Sequence, residues 1–183
     1  MEEKKYIALG LMSGTSMDGV DASIISSIDG IQYDEKFNRY YEYDKDMYEK
    51  LSSLRDKIFT SKDLKKLTNE IKSLEKEITL FHAKVVNDVN NSVKKSTISR
   101  PEIIGFHGQT IFHNSDDKIS VQLGDGKLLS QLVKKTVVYD FRQNDLKNGG
   151  RGAPLAPVFH AALAKNKKIP LPVAIWNIGG ITN

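Results

Sequence analysis

The sequence contains no cysteine. Disulfides, iron–sulfur clusters and thiolate zinc sites are therefore excluded. No apolar run approaches the roughly 20 residues that a bilayer-spanning helix needs. The opening Met1-Glu-Glu-Lys-Lys5 mixes charges and leads straight into Tyr6-Ile-Ala-Leu-Gly10. A signal peptide needs a longer apolar stretch and a small-residue cleavage site. These absences point to a cytoplasmic protein. Arginine is also scarce, and the basic residues are mostly lysines scattered among Asp and Glu. Nucleic-acid recognition leans on clustered Arg with aromatics. Tyr40-Tyr41 has no basic cluster around it, so the net charge of +4 reads as a solvated surface.

What is present suits a folded chain. With 39% hydrophobic and 27% charged residues, the composition is globular rather than disordered. A length of 183 residues accommodates one domain, or one domain and the start of another. Tyr6 to Met12 reads as a buried strand, broken by Ser13-Gly-Thr-Ser16. Met17-Asp-Gly19 is a turn signal, and Val20 to Ile25 resumes as a strand. Gln32 to Tyr43 supplies a third strand. Close coupling makes these three antiparallel.

The middle of the chain is helical. Asp44 or Asp46 is placed to cap a helix reaching about Phe59, and Ser61 to cap the next, with Asp63 in its first turn. Leu64, Leu67, Ile71, Leu74, Ile78, Phe81 and Val85 recur at alternating steps of three and four. That stripe predicts one long helix to about Val93, packed on a sheet in preference to a coiled coil. Strand–helix alternation follows. Strands are expected at Glu102–Phe106, Ile119–Leu123, Thr136–Phe141 and Pro172–Ile178, with helices at Lys127–Val133 and Pro154–Ala164. Antiparallel strands first and alternation later give an α/β domain with a mixed sheet flanked by helices.

Four polar loops stand out at strand ends, where α/β folds place their sites. Ser13 to Val20 holds two glycines that let the backbone turn tightly, and three hydroxyls. Consecutive N–H groups in such a turn form an anion nest, and Asp18 or Asp21 could hold magnesium through water. A plain hairpin turn rarely carries so long a hydroxyl-rich connection. His107, Gln109 and Thr110 offer hydrogen bonds to a sugar-like ligand, but His107 and His113 lack the spacing and third ligand of a metal site. Asp140 to Asp145 places Arg142 among carboxylates, either as an internal ion pair or as a fork for a polar substrate. Asn177 to Asn183 ends in a glycine pair able to approach phosphate. Gly124-Asp-Gly-Lys127 lacks the first Gly and the final Ser or Thr of a P-loop.

Taken in order, these segments resemble one family. Gly10-Leu-Met-Ser-Gly-Thr-Ser-Met-Asp-Gly-Val-Asp21 is similar to the opening signature of the anhydro-N-acetylmuramic acid kinases. His107-Gly-Gln-Thr110, Val121-Gln-Leu-Gly124, Asp140-Phe-Arg142 with Asp145, Gly149-Gly-Arg-Gly-Ala-Pro-Leu155 and Asn177-Ile-Gly-Gly180 follow in that family's order. One departure is Arg151, where the family commonly has Gln. The resemblance implies a ribonuclease-H-like lobe of the sugar kinase, actin and heat-shock ATPase superfamily over residues 1–170, and the first strand of a second such lobe over 171–183. It implies phosphorylation of 1,6-anhydro-N-acetylmuramic acid by ATP and magnesium, with water opening the anhydro ring, in cell-wall sugar recycling.

The same resemblance implies site residues. Ser13, Gly14, Thr15, Ser16, Met17, Asp18, Gly19 and Val20 would form the ATP phosphate loop. Gln122, Arg142 and Asp145 would face the sugar, supported by His107 and Gln109. The family's Gly-Phe-Asp-x-Gly-Pro-Gly-Asn motif, whose Asp is the expected base, does not occur in these residues. The catalytic base is therefore expected beyond Asn183, and these residues alone are not expected to turn over. A second expectation is a non-catalytic phosphate- or sugar-binding fragment that pairs with itself as a homodimer or with a C-terminal partner chain.

Overall fold

The computed structural model describes residues 4–176. Six strands form one mixed sheet: β1 (Tyr6–Ser13), β2 (Gly19–Ser27), β3 (Tyr33–Glu42), β4 (Ile103–Asn114), β5 (Ile119–Leu123) and β6 (Thr136–Val138). The order runs β3-β2-β1-β4. β1, β2 and β3 pair antiparallel, as their short connections require. β1 and β4 are parallel neighbours, joined across the helical segment. Along its other edge β4 pairs parallel with β6 at Ile103–Gly105 and antiparallel with β5 at Gln109–Asn114.

The helices are α1 (Lys45–Asp56), α2 (Ser61–Lys66), α3 (Thr68–Lys94), α4 (Gly126–Val133), α5 (Gln143–Lys147) and α6 (Ala156–Asn166). Asp44 caps α1 by accepting from the Met47 N–H at 2.8 Å. The next helix starts one residue earlier than expected. Thr60, not Ser61, is its cap, because the Asp63 carboxylate reaches back to the Thr60 N–H and hydroxyl. The predicted long helix is also broken at Leu67, so α2 and α3 are separate. α6 begins at Ala156, with Pro157 in its first turn, where a missing N–H costs nothing. Residues 172–176 form no strand, and the rest of the expected Pro172–Ile178 strand lies outside the described residues.

The apolar stripe does what its period predicts. Leu74, Ile78 and Val85 are buried, with Val86, Val89 and Val93 continuing along α3. They meet Leu9, Leu11, Ala22, Ile24, Ile104 and Phe106 from the sheet, and Leu51 and Leu54 from α1. Truncating one such leucine to alanine costs about 2–5 kcal/mol. The edge strand β3 is mostly exposed and carries charge, which discourages edge-to-edge pairing. Arg39 and Tyr41 both bond the Asp88 carboxylate on α3, at 2.8 and 2.7 Å, and clip β3 to that helix.

One polar joint fastens α3 to the sheet. His82 is fully buried, with its ring 4.8 Å from that of Phe106. Its Nδ1–H donates to the Ile78 carbonyl at 2.8 Å, which leaves Nε2 as an acceptor. The buried Ser13 hydroxyl at the end of β1 donates to Nε2 at 3.1 Å and accepts from the Tyr43 hydroxyl at 3.1 Å. Burial pushes the imidazole down to about 4. The unfolded chain therefore takes up a proton near pH 6.5 that the folded chain refuses until about pH 4. His82 adds nothing to pH sensitivity above pH 6.5, and withdraws about 3 kcal/mol of stability as pH falls to 4. Urea unfolding between pH 7 and 4 should give a shallower loss in His82→Gln than in the parent; equal slopes would refute this assignment.

Candidate functional site

The connection between β1 and β2 is a turn over residues 14–18. The Met17 N–H donates to the Gly14 carbonyl at 3.2 Å, and Met17 takes a left-handed φ of 60° while its side chain is buried. Thr15 and Ser16 are the exposed central residues. Among the described residues their N–H groups have no intramolecular acceptor, so two adjacent donors face outward. The Ser16 hydroxyl donates to Asp18 at 2.6 Å. Asp18 is exposed, and its carbonyl accepts from the Tyr43 N–H at 2.8 Å. Gly19 and Val20 are buried. A Cβ on Gly19 would collide with the Tyr41 carbonyl and the Tyr40 ring, so that position must be glycine. Burial first, and then the charges of Asp18, Glu42 and Asp21, push the Tyr40 phenol up.

Ser13 stands apart from the loop it opens. Its hydroxyl points into the core toward His82 and Tyr43 and has no exposure. A serine beside a histidine resembles a nucleophile and its base, but a fully buried pair cannot meet a substrate. Its role is to hold the end of β1.

The His107–Thr110 segment is no loop. β4 runs through it with a bulge, because Leu11 faces Phe106 while Ser13 faces Gln109. Gly108 makes the bulge with a φ of 73°, where a Cβ would meet the Leu123 carbonyl. The extra residue breaks the alternation of faces. His107 and Thr110 are half-buried, while Gln109 is fully buried and donates to the Gly14 carbonyl at 2.7 Å. The structure thus places Gln109 against the 14–18 turn and separates it from His107.

His107 meets Arg142 instead. Its Nδ1–H donates to the Gly108 carbonyl at 2.7 Å, and Nε2 accepts from Arg142 Nε and Nη2 at 3.2 and 2.9 Å. Burial, and then the nearby guanidinium, hold this imidazole below its ordinary value, hence neutral. Arg142 Nη1 donates to the Gly152 carbonyl at 2.7 Å. Asp145 accepts from the Gly152 N–H at 2.7 Å, and its own carbonyl accepts from the Gly150 N–H at 2.8 Å. The internal ion pair expected as one reading of Arg142 is not formed among the described residues: the guanidinium bonds an imidazole and a carbonyl, not a carboxylate. Arg142 and Asp145 together clamp the glycine loop. Gln122 lies nearby on β5, donating to Ser120 and Thr110 at 2.7 and 3.2 Å, and Gln143 donates to the Ser120 carbonyl at 2.8 Å. Among the described residues no three His, Asp or Glu side chains gather as a metal cage. The Asn177–Asn183 loop lies outside the described residues.

Sequence reasoning missed His82, Tyr43 and Tyr40. His82 sits beside the apolar stripe, within Phe81-His-Ala-Lys-Val-Val86, and that placement was its only signal. Arg151 is exposed between the two clamped glycines, so it reports on the clamp. Asp145→Ala should raise the rate of tryptic cleavage after Arg151 by about tenfold through local opening. An unchanged rate in a folded variant would show that the clamp does not hold the loop.

The family model for anhydro-N-acetylmuramic acid kinase matches residues 5–183. An anhydro-N-acetylmuramic acid kinase of Pelagibacter ubique (strain HTCC1062) is 55% identical over 181 residues, covering 99% of this chain and 47% of that protein. The enzyme of the same name from Gluconobacter oxydans (strain 621H) is 42% identical over 177 residues, covering 96% of this chain and 46% of its own length. That of Brucella canis (strain ATCC 23365 / NCTC 10854 / RM-666) is 38% identical over 180 residues, covering 96% and 48%. The chain spans about half the length of these relatives. With the sheet order and the motifs in register, the chain belongs to the anhydro-N-acetylmuramic acid kinase family.

Proposed function

We propose that this chain is the nucleotide-gripping lobe of a kinase that uses ATP to convert 1,6-anhydro-N-acetylmuramic acid to N-acetylmuramic acid 6-phosphate, water opening the anhydro ring. The observation that carries the reading is the pair of outward N–H groups at Thr15 and Ser16, on a turn anchored at Ser13, Gly14 and Gly19. Phosphoryl transfer depends mainly on positioning and on electrostatic stabilisation of charge spread over the phosphate oxygens. Fixed main-chain donors serve both needs without reorganising.

Magnesium fits the donor set around this turn. It typically takes one or two carboxylates and fills its shell with waters and phosphate oxygens. Asp18 is one exposed carboxylate beside the two donors, and it is the residue that would hold the ion, with Asp21 as the next acid along. When bound, the ion supplies charge neutralisation at the phosphates. On the sugar side, Arg142, held by His107, and Gln122, held by Thr110 and Ser120, are the groups proposed to orient hydroxyls and the lactyl carboxylate. Asp145 acts there through the glycine loop that it clamps. None of residues 4–176 is assigned as the base that activates water.

Titration of the chain with ATP and magnesium, followed by amide NMR, tests the reading. The largest shifts should fall on Thr15 and Ser16. Gly19→Ala should weaken binding by about tenfold or more, since the turn must move to relieve the clash. Asp18→Asn should reduce the gain in affinity that magnesium provides. Absence of ATP binding, or shifts confined to another face, would overturn the assignment.

A further inference from the structure

The Gly14–Thr15 peptide bond is trans, as are all the described peptide bonds other than Ala153–Pro154 and Leu171–Pro172. In a planar trans peptide the carbonyl and the following N–H point in opposite directions. Whatever fixes the Gly14 carbonyl therefore fixes the Thr15 N–H. That carbonyl accepts two bonds, from the Met17 N–H at 3.2 Å and from Gln109 Nε2 at 2.7 Å. The first is local to the turn. The second comes from a different strand, 95 residues away in sequence.

Gln109 is held for this contact at some cost. Its side chain is fully buried, and its Oε1 has no hydrogen-bond partner. A buried amide with an orphaned oxygen is a liability that an apolar residue of similar size would avoid. The orientation of the amide is set by its partner, since a carbonyl can only accept and so must face the NH2 group. The Gly108 bulge turns Gln109 toward the turn, while its neighbours His107 and Thr110 remain on the sheet face that carries Arg142 and Gln122.

We propose that Gln109 is a positioning residue: by drawing the Gly14 carbonyl inward it aims the Thr15 N–H at the nucleotide phosphate, and it ties that aim to the strand whose His107 and Thr110 hold the sugar-side groups Arg142 and Gln122. This rests on the reading of the 14–18 turn as the phosphate grip. Loss of the donor leaves the Gly14 carbonyl only the longer bond from the Met17 N–H, so the peptide plane is held less firmly and the effect falls on phosphate and spares the nucleoside.

The test compares the chain with Gln109→Met, which fills the space without a donor, and Gln109→Glu. ATP affinity should fall by about tenfold in Gln109→Met, the worth of one hydrogen bond to a charged group. Adenosine affinity should not change, whereas a merely structural defect would weaken both. In Gln109→Glu the protonated acid can donate as the amide does. Its ATP affinity should therefore be near that of the parent at low pH and drop below it as the carboxyl ionises, each value compared with the parent at the same pH. Without nucleotide, the Thr15 amide signal should move in Gln109→Met, and in Gln109→Glu once the carboxyl is ionised, while Leu9 and Ile24 stay in place. If the parent binds no ATP, the nucleotide reading fails, and the unliganded Thr15 signal still decides the role of Gln109. Parent-like ATP affinity in a folded Gln109→Met, or an unmoved Thr15 amide, overturns the proposal. Should Gln109→Met not fold, a Gln109→Glu affinity that tracks that of the parent at every pH overturns it.

Discussion

A buried hydroxyl must find a partner within the protein, and at Ser13 that requirement organises one end of the sheet. No water reaches the Ser13 oxygen, so it bonds His82 and Tyr43. Losing the Ser13 hydroxyl would leave the buried His82 Nε2 unsatisfied, at about 1–3 kcal/mol. The result is a three-way junction. β1 supplies the serine, α3 the histidine, and the segment after β3 the tyrosine. The chain can turn tightly into residues 14–18 because the point of departure is held on all sides.

The grip itself is then assembled from main chain. Gly19 allows Tyr40 and Tyr41 to close over the backbone, and Gln109 holds the far side of the turn. The glycine loop near α5 is built in the same manner, with the side chains of Arg142 and Asp145 holding peptide groups of Gly152 and the Asp145 carbonyl holding the Gly150 N–H. Such sites are stiff, and stiffness is what charge stabilisation needs, because donors that do not move cost no reorganisation.

Much of the fold was legible because one-sided burial writes itself into the sequence as period. The α3 stripe at steps of three and four specifies a face, and the apolar run Tyr6 to Met12 specifies a buried strand, without tertiary knowledge. Glycine and hydroxyl clusters marked the 13–20 turn for the same local reason. What was illegible depended on distant partners. Nothing near Ser13 says that its hydroxyl turns inward, since His82 lies 69 residues away. The two faces of His107-Gly-Gln-Thr110 could not be separated without the bulge at Gly108, a left-handed residue inside a continuous strand. The break at Leu67 was hidden by an apolar stripe that runs through it unbroken.

The glycine loop also bears on Arg151, a cation where the resemblance implies Gln. The hydrogen bonds that hold residues 150–152 go to peptide N–H and carbonyl groups of the flanking glycines, and the side chain of Arg151 is exposed between them. The shape of the loop is thereby decoupled from the identity of residue 151. A cation there changes the local charge presented to an approaching anion without touching the main-chain contacts that hold the loop.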